Sequence, residues 1–144
     1  MSATNVLRET AADHGSIWKA GVAAAVLAIA ANVALYAAAV SLGVFPTLTL
    51  APDAWGMGLG PVILVSTLGA LGGTLVYAAV RRRVEQPIRA FLAIAAVVLV
   101  ISFGGPLMIP GLTAAMIGVL EVLHVVVAVC TVGSIWRWET AARP

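Results

Sequence analysis

Residues 112–136 read LTAAMIGVLEVLHVVVAVCTVGSIW, and this stretch decides the fold. Its 25 residues include one formally charged side chain, that of Glu121. An α-helix rises about 1.5 Å per residue, so about 20 residues cross a hydrocarbon core of about 30 Å. A surface helix of a soluble protein carries a polar stripe along one face, and this stretch has none. It therefore predicts a membrane-spanning helix.

Three further apolar runs, at residues 20–42, 60–80 and 90–108, have the same character. In the whole chain 62% of the 144 residues are hydrophobic, 10% are charged, and the mean hydropathy is +1.08. Soluble domains carry about 25% charged residues, so a soluble globular enzyme, a disordered chain and a nucleic-acid binder are excluded. Because backbone in lipid must satisfy its own hydrogen bonds, helices are the expected spanning form. The prediction is an all-α protein, an antiparallel bundle of four transmembrane helices (residues 20–136) with tails at residues 1–19 and 137–144.

The positions of the cations predict how the bundle is oriented. All eight fall on one side of the predicted membrane: Arg8, Lys19, Arg81, Arg82, Arg83, Arg89, Arg137 and Arg143. The other side has a loop at residues 41–59, whose only charge is Asp53, and an uncharged turn at residues 109–111. Residues 47–50 alternate as in a short strand, although an irregular loop is the favoured interpretation. The positive-inside rule predicts a multi-pass protein of the cell membrane with both termini in the cytoplasm.

Glu121 is the only charged residue within the four spans, and His124 follows it three positions later. Residues three apart share a face of a helix. Glu121 is nine residues from Leu112, or about 14 Å below the outer boundary, close to the midplane. Ionisable groups at this depth are costly and indicate a functional site by default. The pair is therefore the first candidate site.

Each of the other three helices has a hydrogen-bonding residue at comparable depth: Asn32, Ser66 and Ser102. The simplest packing turns these side chains inward, toward Glu121 and His124. Tyr36 lies one turn from Asn32 and would extend the polar network outward. We therefore predict a polar pocket that opens toward the outer side and holds all six residues.

Three kinds of chemistry fit this pocket. Glu121 and His124 could form a protonatable pair for proton-coupled transport or ligand binding, since burial favours their neutral forms and contact favours the ion pair. His124 could be the single axial ligand of a haem or pigment, because His14, the only other histidine, lies outside the span. Glu-x-x-His is also half of a di-metal site, but that pattern needs the motif twice. A purely structural polar pair, which fixes helix register, is the competing interpretation.

Small residues spaced four apart occur on two of the helices. Gly69 and Gly73 form such a pair on the second span, and Ala114 and Gly118 form one on the fourth. Pairs of this kind let two helices approach closely. The spacing does not distinguish packing within one chain from packing between copies.

Several short motifs resemble an uncharacterised family of small four-helix membrane proteins from actinobacteria and related microbes, known only as a domain of unknown function. The motifs are Ala30-Ala31-Asn32, Thr67-Leu68-Gly69-Ala70-Leu71-Gly72, Pro87 with Arg89-Ala90-Phe91, Ser102-x-x-x-Pro106-Leu107 and Leu123-His124. They cover nearly the whole membrane region. The resemblance implies a four-helix membrane fold and supplies no activity.

The leading functional hypothesis is a membrane protein that binds a small molecule or a proton, as a transporter-like or sensor subunit. The alternative is a structural accessory subunit of a larger membrane complex. An enzyme is the least favoured class, because no nucleophile or cofactor motif accompanies the one acid–base pair. The expected partners are the lipid bilayer and either copies of the chain or a larger complex, without nucleic acid.

Overall fold

The structure is a computed structural model that describes residues 3–46 and 58–141, and it describes residues 3–16 by their backbone alone. Within these ranges the chain forms α-helices and no strand. The helices are α1 (Ala3–Ser41), α2 (Leu59–Val80), α3 (Pro87–Ser102), α4 (Gly104–Leu107) and α5 (Ala114–Ala141). The all-α prediction is confirmed for these residues. The strand-like stretch at residues 47–50 and Asp53 lie outside the described residues.

Four segments of these helices are long and apolar enough to cross a membrane, as the sequence predicts. They are Ile17–Ser41, Leu59–Val80, Pro87–Leu107 and Ala114–Ala141. Two of them extend into the predicted polar tails. The backbone of α1 is already helical from Ala3, and α5 continues to Ala141. Residues 137–141 contain neither proline nor glycine, the residues that most strongly oppose helix continuation.

A glycine- and proline-rich segment separates the third and fourth spans. Helix α3 ends at Ser102, and the one-turn helix α4 follows it. Gly111 then adopts a φ of 81°, a left-handed conformation that favours glycine. Helix α5 begins after Thr113, whose Oγ1 accepts a hydrogen bond from the Met116 backbone N–H at 3.2 Å. This side chain caps the first turn of α5.

Helices α1, α2 and α5 form the centre of the packing. Helix α1 lies against both α2 and α5, whereas α3 contacts α2 and α5 and, among the described residues, does not reach α1. The middle of the α1–α2 contact consists of small side chains, with Ala24 and Ala70 fully buried. Helix α3 is consequently peripheral, and its valines at positions 97, 98 and 100 are each more than half exposed.

Three glycines bring neighbouring helices into close contact. A Cβ at Gly69 would lie 2.7 Å from Val127 Cγ1, and one at Gly73 would lie 2.8 Å from Thr131 Cγ2. A Cβ at Gly21 would lie 2.6 Å from Thr74 Oγ1. Gly69 and Gly73 are therefore used within the chain, to pack α2 against α5. Gly118, by contrast, has open space where a Cβ would stand.

One end of the bundle combines a buried aromatic cluster with the basic residues. Ile17, Tyr77, Phe91 and Ile135 pack together there, and each lies within four residues of a lysine or arginine. Tyr77 is fully buried, and its hydroxyl donates a hydrogen bond to Glu139 Oε2. We call this the basic end.

Candidate functional site

Asn32 joins three helices in the half of the bundle away from the basic end. Its side chain is 2% exposed. Its Nδ2 donates hydrogen bonds to Ser66 Oγ on α2 at 2.9 Å and to the Leu123 backbone oxygen on α5 at 3.2 Å. A carbonyl oxygen can only accept, which fixes which amide atom is the nitrogen. Asn32 therefore holds α2 and α5 through its two amide hydrogens.

The amide oxygen of the same residue has no partner. Asn32 Oδ1 is buried and accepts no hydrogen bond from any residue that the structure describes. Leaving a buried acceptor unsatisfied costs about 1–3 kcal/mol, and native structures rarely tolerate it without a water or a ligand. The unpartnered oxygen is therefore an unusual feature of this position.

Asn32 lines a cavity of about 300 Å³ at the end of the bundle opposite the basic end. Among the residues that the structure describes, the polar side chains of the lining are those of Asn32, Tyr36, Ser66 and His124. The rest of the lining is mainly apolar, and it includes Pro61, Val62, Pro106, Leu120 and Leu123. We call this space the outer cavity. A mostly apolar space with a few converging polar groups is the usual form of a small-molecule site.

His124 is partly buried, and one of its ring nitrogens is already engaged. Nδ1 lies 2.7 Å from the backbone oxygen of Leu120. Because that oxygen only accepts, Nδ1 carries the proton, and Nε2 is the free acceptor of the neutral ring. The outer cavity is therefore lined by two groups with free acceptor atoms, Asn32 and His124.

A second cavity of about 200 Å³ lies among α2, α3 and α5 and is lined by residues of all three helices. Val65, His124 and Val127 line both cavities, so the histidine lies at the boundary between them. Ser102 lines the second cavity, and its hydroxyl donates to the Leu99 backbone oxygen at 2.7 Å within its own helix. Ser102 is thus near His124 but outside the lining of the outer cavity.

Tyr36 and Glu121 complete the set of predicted residues. Tyr36 is 1% exposed and packs against Phe45 with ring centroids 4.9 Å apart. Glu121 is only partly buried and belongs to the lining of neither cavity. No hydrogen bond or ion pair joins its carboxylate to His124 or to any other described residue. The structure thus brings Asn32, Tyr36, Ser66 and His124 together and leaves Glu121 apart.

Some contributors to the site have no signal in the sequence. The carbonyl of Leu123, which binds Asn32, is a backbone atom of an ordinary apolar residue. Pro106 lines the outer cavity from α4, although in the sequence it stands out only as part of the motif Ser102-x-x-x-Pro106-Leu107.

Comparison with known proteins gives one match. The model of a family described as a family of unknown function (DUF6069) matches residues 12–141. No curated protein and no solved structure matches the chain. The matched residues include all of those that line the outer cavity.

Proposed function

The chain belongs to the family of unknown function DUF6069, and on this premise we propose that it is a multi-pass protein of the cell membrane that binds a small lipophilic molecule in its outer cavity. The ligand we propose is mostly apolar and carries at least one hydrogen-bond donor. The unpartnered, buried Oδ1 of Asn32 is the observation that carries this proposal.

The membrane part of the proposal rests on helix length and charge. Four segments are long and apolar enough to cross a membrane. Cations follow or precede the residues of the buried cluster at the basic end, and the positive-inside rule assigns such an end to the cytoplasm. In this orientation the outer cavity lies in the outer half of the membrane, where an apolar ligand can enter from the lipid.

The size and the chemistry of the cavity define the ligand class. Cavities of about 150 Å³ with apolar walls bind benzene, so a space of about 300 Å³ accommodates a substituted aromatic ring or a short alkyl chain. Asn32 Oδ1, and Nε2 of His124 in its neutral form, are each able to accept a hydrogen bond from a ligand. A phenol, an alcohol or a hydroquinone-like molecule would satisfy one or both acceptors, whereas a pure hydrocarbon or an ether would leave them unpaired.

A matched pair of probes tests this proposal, namely 4-tert-butylphenol and its methyl ether, 4-tert-butylanisole. The two differ in one donor hydrogen and have nearly the same apolar body. A ligand that binds the folded protein raises its Tm according to its concentration and affinity, so both can be titrated by thermal unfolding in detergent. We expect the phenol to bind about tenfold more tightly, equivalent to about 1.4 kcal/mol.

Variants assign that preference to particular atoms. Asn32→Leu and His124→Phe should each reduce the ratio of the two affinities, while Thr67→Val should leave it unchanged. Thr67 is the control because its hydroxyl donates to the Ile63 oxygen and its side chain is not part of the outer-cavity lining. The ratio of the two affinities is a valid measure even in a destabilised variant, because both probes are compared on the same variant. Equal affinities for the two probes, or no binding of either, would contradict the proposal and favour the accessory-subunit hypothesis.

The geometry of His124 supports a second candidate, single-histidine ligation of a haem or pigment. Metal-ligating histidines usually donate their other ring N–H to a carbonyl or carboxylate, which is the arrangement of Nδ1 with the Leu120 oxygen. Protein purified from its native membrane would then show a visible absorption band that His124→Ala abolishes. A colourless preparation after supplementation with haem during expression would exclude haem ligation.

A further inference from the structure

A groove of about 550 Å³ runs between α1 and α5 at the basic end, on surfaces separate from both cavities. Lys19 on α1 and Arg137 on α5 line it, and both side chains are exposed. Most of the remaining lining is small or apolar, and it includes Ala20, Ala23, Leu27, Val129 and Gly133. Among the residues whose side chains the structure describes, none that lines the groove is acidic.

Charge and apolar surface are separated along the length of this groove. Leu27 is eight residues from Lys19, and Val129 is eight residues from Arg137, each a rise of about 12 Å along its helix. The two cations lie at the basic end, and the two apolar residues lie deeper in the predicted hydrocarbon core of the membrane. The groove therefore has a cationic end and an apolar track that continues from it toward the middle of the bundle.

One residue of the groove wall, Trp138, also makes contacts with residues outside the groove. Trp138 lines the groove, and its ring lies beneath the guanidinium of Arg81, 4.9 Å from the ring centroid. Its ring also packs edge-on against that of Tyr77, with centroids 6.4 Å apart. The nearest acid in sequence, Glu139, accepts a hydrogen bond from Tyr77. These contacts fix the position of the tryptophan beside the cationic end.

We propose that this groove binds one anionic phospholipid from the cytoplasmic leaflet. The phosphate and the anionic headgroup bind between Lys19 and Arg137, and one acyl chain lies along Ala23, Leu27 and Val129. Basic residues beside a membrane helix attract anionic lipids of this leaflet, and the apolar track selects a lipid over a soluble anion. A second copy of the chain fits less well, because its basic end would bring like charges together.

Native mass spectrometry in detergent tests this site. The protein is titrated with phosphatidylglycerol or phosphatidylcholine of identical acyl chains. We expect one bound phosphatidylglycerol at a concentration at least tenfold lower than that required for phosphatidylcholine. The double variant Lys19→Gln/Arg137→Gln should lose this preference, and Ala23→Phe, which fills the track, should weaken binding of both lipids.

A charge-matched control separates a lipid site from diffuse attraction to the basic end. The double variant Arg83→Gln/Arg89→Gln removes the same number of charges outside the groove, and its preference should remain that of the wild type. An equal loss in this control would overturn the proposal in favour of diffuse attraction. Inorganic phosphate that binds as tightly as the lipid, or a dimer that forms in place of the lipid adduct, would overturn it in favour of a soluble anion or a second copy.

Discussion

Asn32 Nδ2 donates to the Leu123 backbone oxygen, 3.2 Å away, and this bond joins the first and last membrane-length helices at residues 91 positions apart. The same nitrogen bonds Ser66 on α2. One amide group thus connects three helices by directional hydrogen bonds. Its other polar atom, Oδ1, lacks a partner among the described residues, and Asn32 is one of the residues that line the outer cavity.

Replacement of Asn32 should lower stability more than replacement of Ser66. Asn32→Ala removes both hydrogen bonds, each worth about 0.6 kcal/mol on average in a membrane protein, and it opens space in a buried position. Ser66→Ala removes one of them. We expect losses of about 1–3 kcal/mol and about 0.5–1 kcal/mol in the free energy of unfolding, measured by reversible unfolding in mixed micelles. Equal losses of stability in the two variants would contradict the conclusion that Asn32 connects three helices.

Two adjacent glycines on α2 should respond differently to alanine. A Cβ at Gly73 would lie 2.8 Å from Thr131 Cγ2, whereas a Cβ at Gly72 has open space. Gly73→Ala should therefore destabilise the protein by about 1–3 kcal/mol through overpacking, and Gly72→Ala should be neutral. Thermal unfolding of the two variants in one detergent makes this comparison.

A second substitution should rescue the Gly73 variant. Thr131→Ser removes the Cγ2 methyl group and keeps the hydroxyl that donates to the Val127 oxygen at 2.7 Å. Combined with Gly73→Ala, it should restore most of the lost stability, which a double-mutant cycle measures. If the double variant is no more stable than Gly73→Ala alone, the close approach of α2 to α5 at this position is wrong.

Removal of the Tyr77 hydroxyl should destabilise the basic end. Tyr77 is fully buried, and its hydroxyl donates to the carboxylate of Glu139. Hydrogen bonds to charged groups contribute about 1.5–3 kcal/mol, so Tyr77→Phe should lower Tm by several degrees. The aromatic packing against Phe91 is retained in this variant. Thr140→Val is the control, because Thr140 is exposed and its hydroxyl bonds only to backbone of its own helix, and its Tm should be that of the wild type.

Labelling from outside the cell tests the proposed orientation. In a Cys130→Ser background, single cysteines replace Leu42, Met108 or Arg83, all of which are exposed. A membrane-impermeant maleimide added to intact cells should label positions 42 and 108 and spare position 83. Labelling of position 83 alone would reverse the proposed orientation, with the outer cavity then facing the cytoplasm.

The four membrane-length helices could be predicted from composition, because hydropathy over about 20 residues depends on the local sequence alone. The grouping of the cations on one side of the predicted membrane could also be predicted from their positions in the sequence. The candidate residues were predicted from polarity and depth, and four of the six line one cavity: Asn32, Tyr36, Ser66 and His124. Depth follows from residue number through the helical rise. It gives the level of a side chain and leaves its direction around the helix open.

Direction around the helix is what separated Glu121 from His124. The two residues share a broad face of α5, yet a step of three residues is a rotation of about 60°, enough to leave Glu121 outside the cavity that His124 lines. A helix that is apolar on all sides has no polar stripe to indicate its rotation. The neighbours that pack against it determine that rotation, and those contacts are tertiary.

The sequence by itself determined that this protein has four apolar helices, a basic end and a few polar residues at matching depths, since each of these is a property of local composition and residue number. The tertiary structure decided which of those residues meet. In the structure, α2 packs against α5 at Gly69 and Gly73, and Asn32 donates to a backbone carbonyl of α5. Gly118 and Glu121 take no part in these contacts. The reason is that close packing selects one rotation for each helix, and that selection depends on side-chain shape across helices that are far apart in the chain.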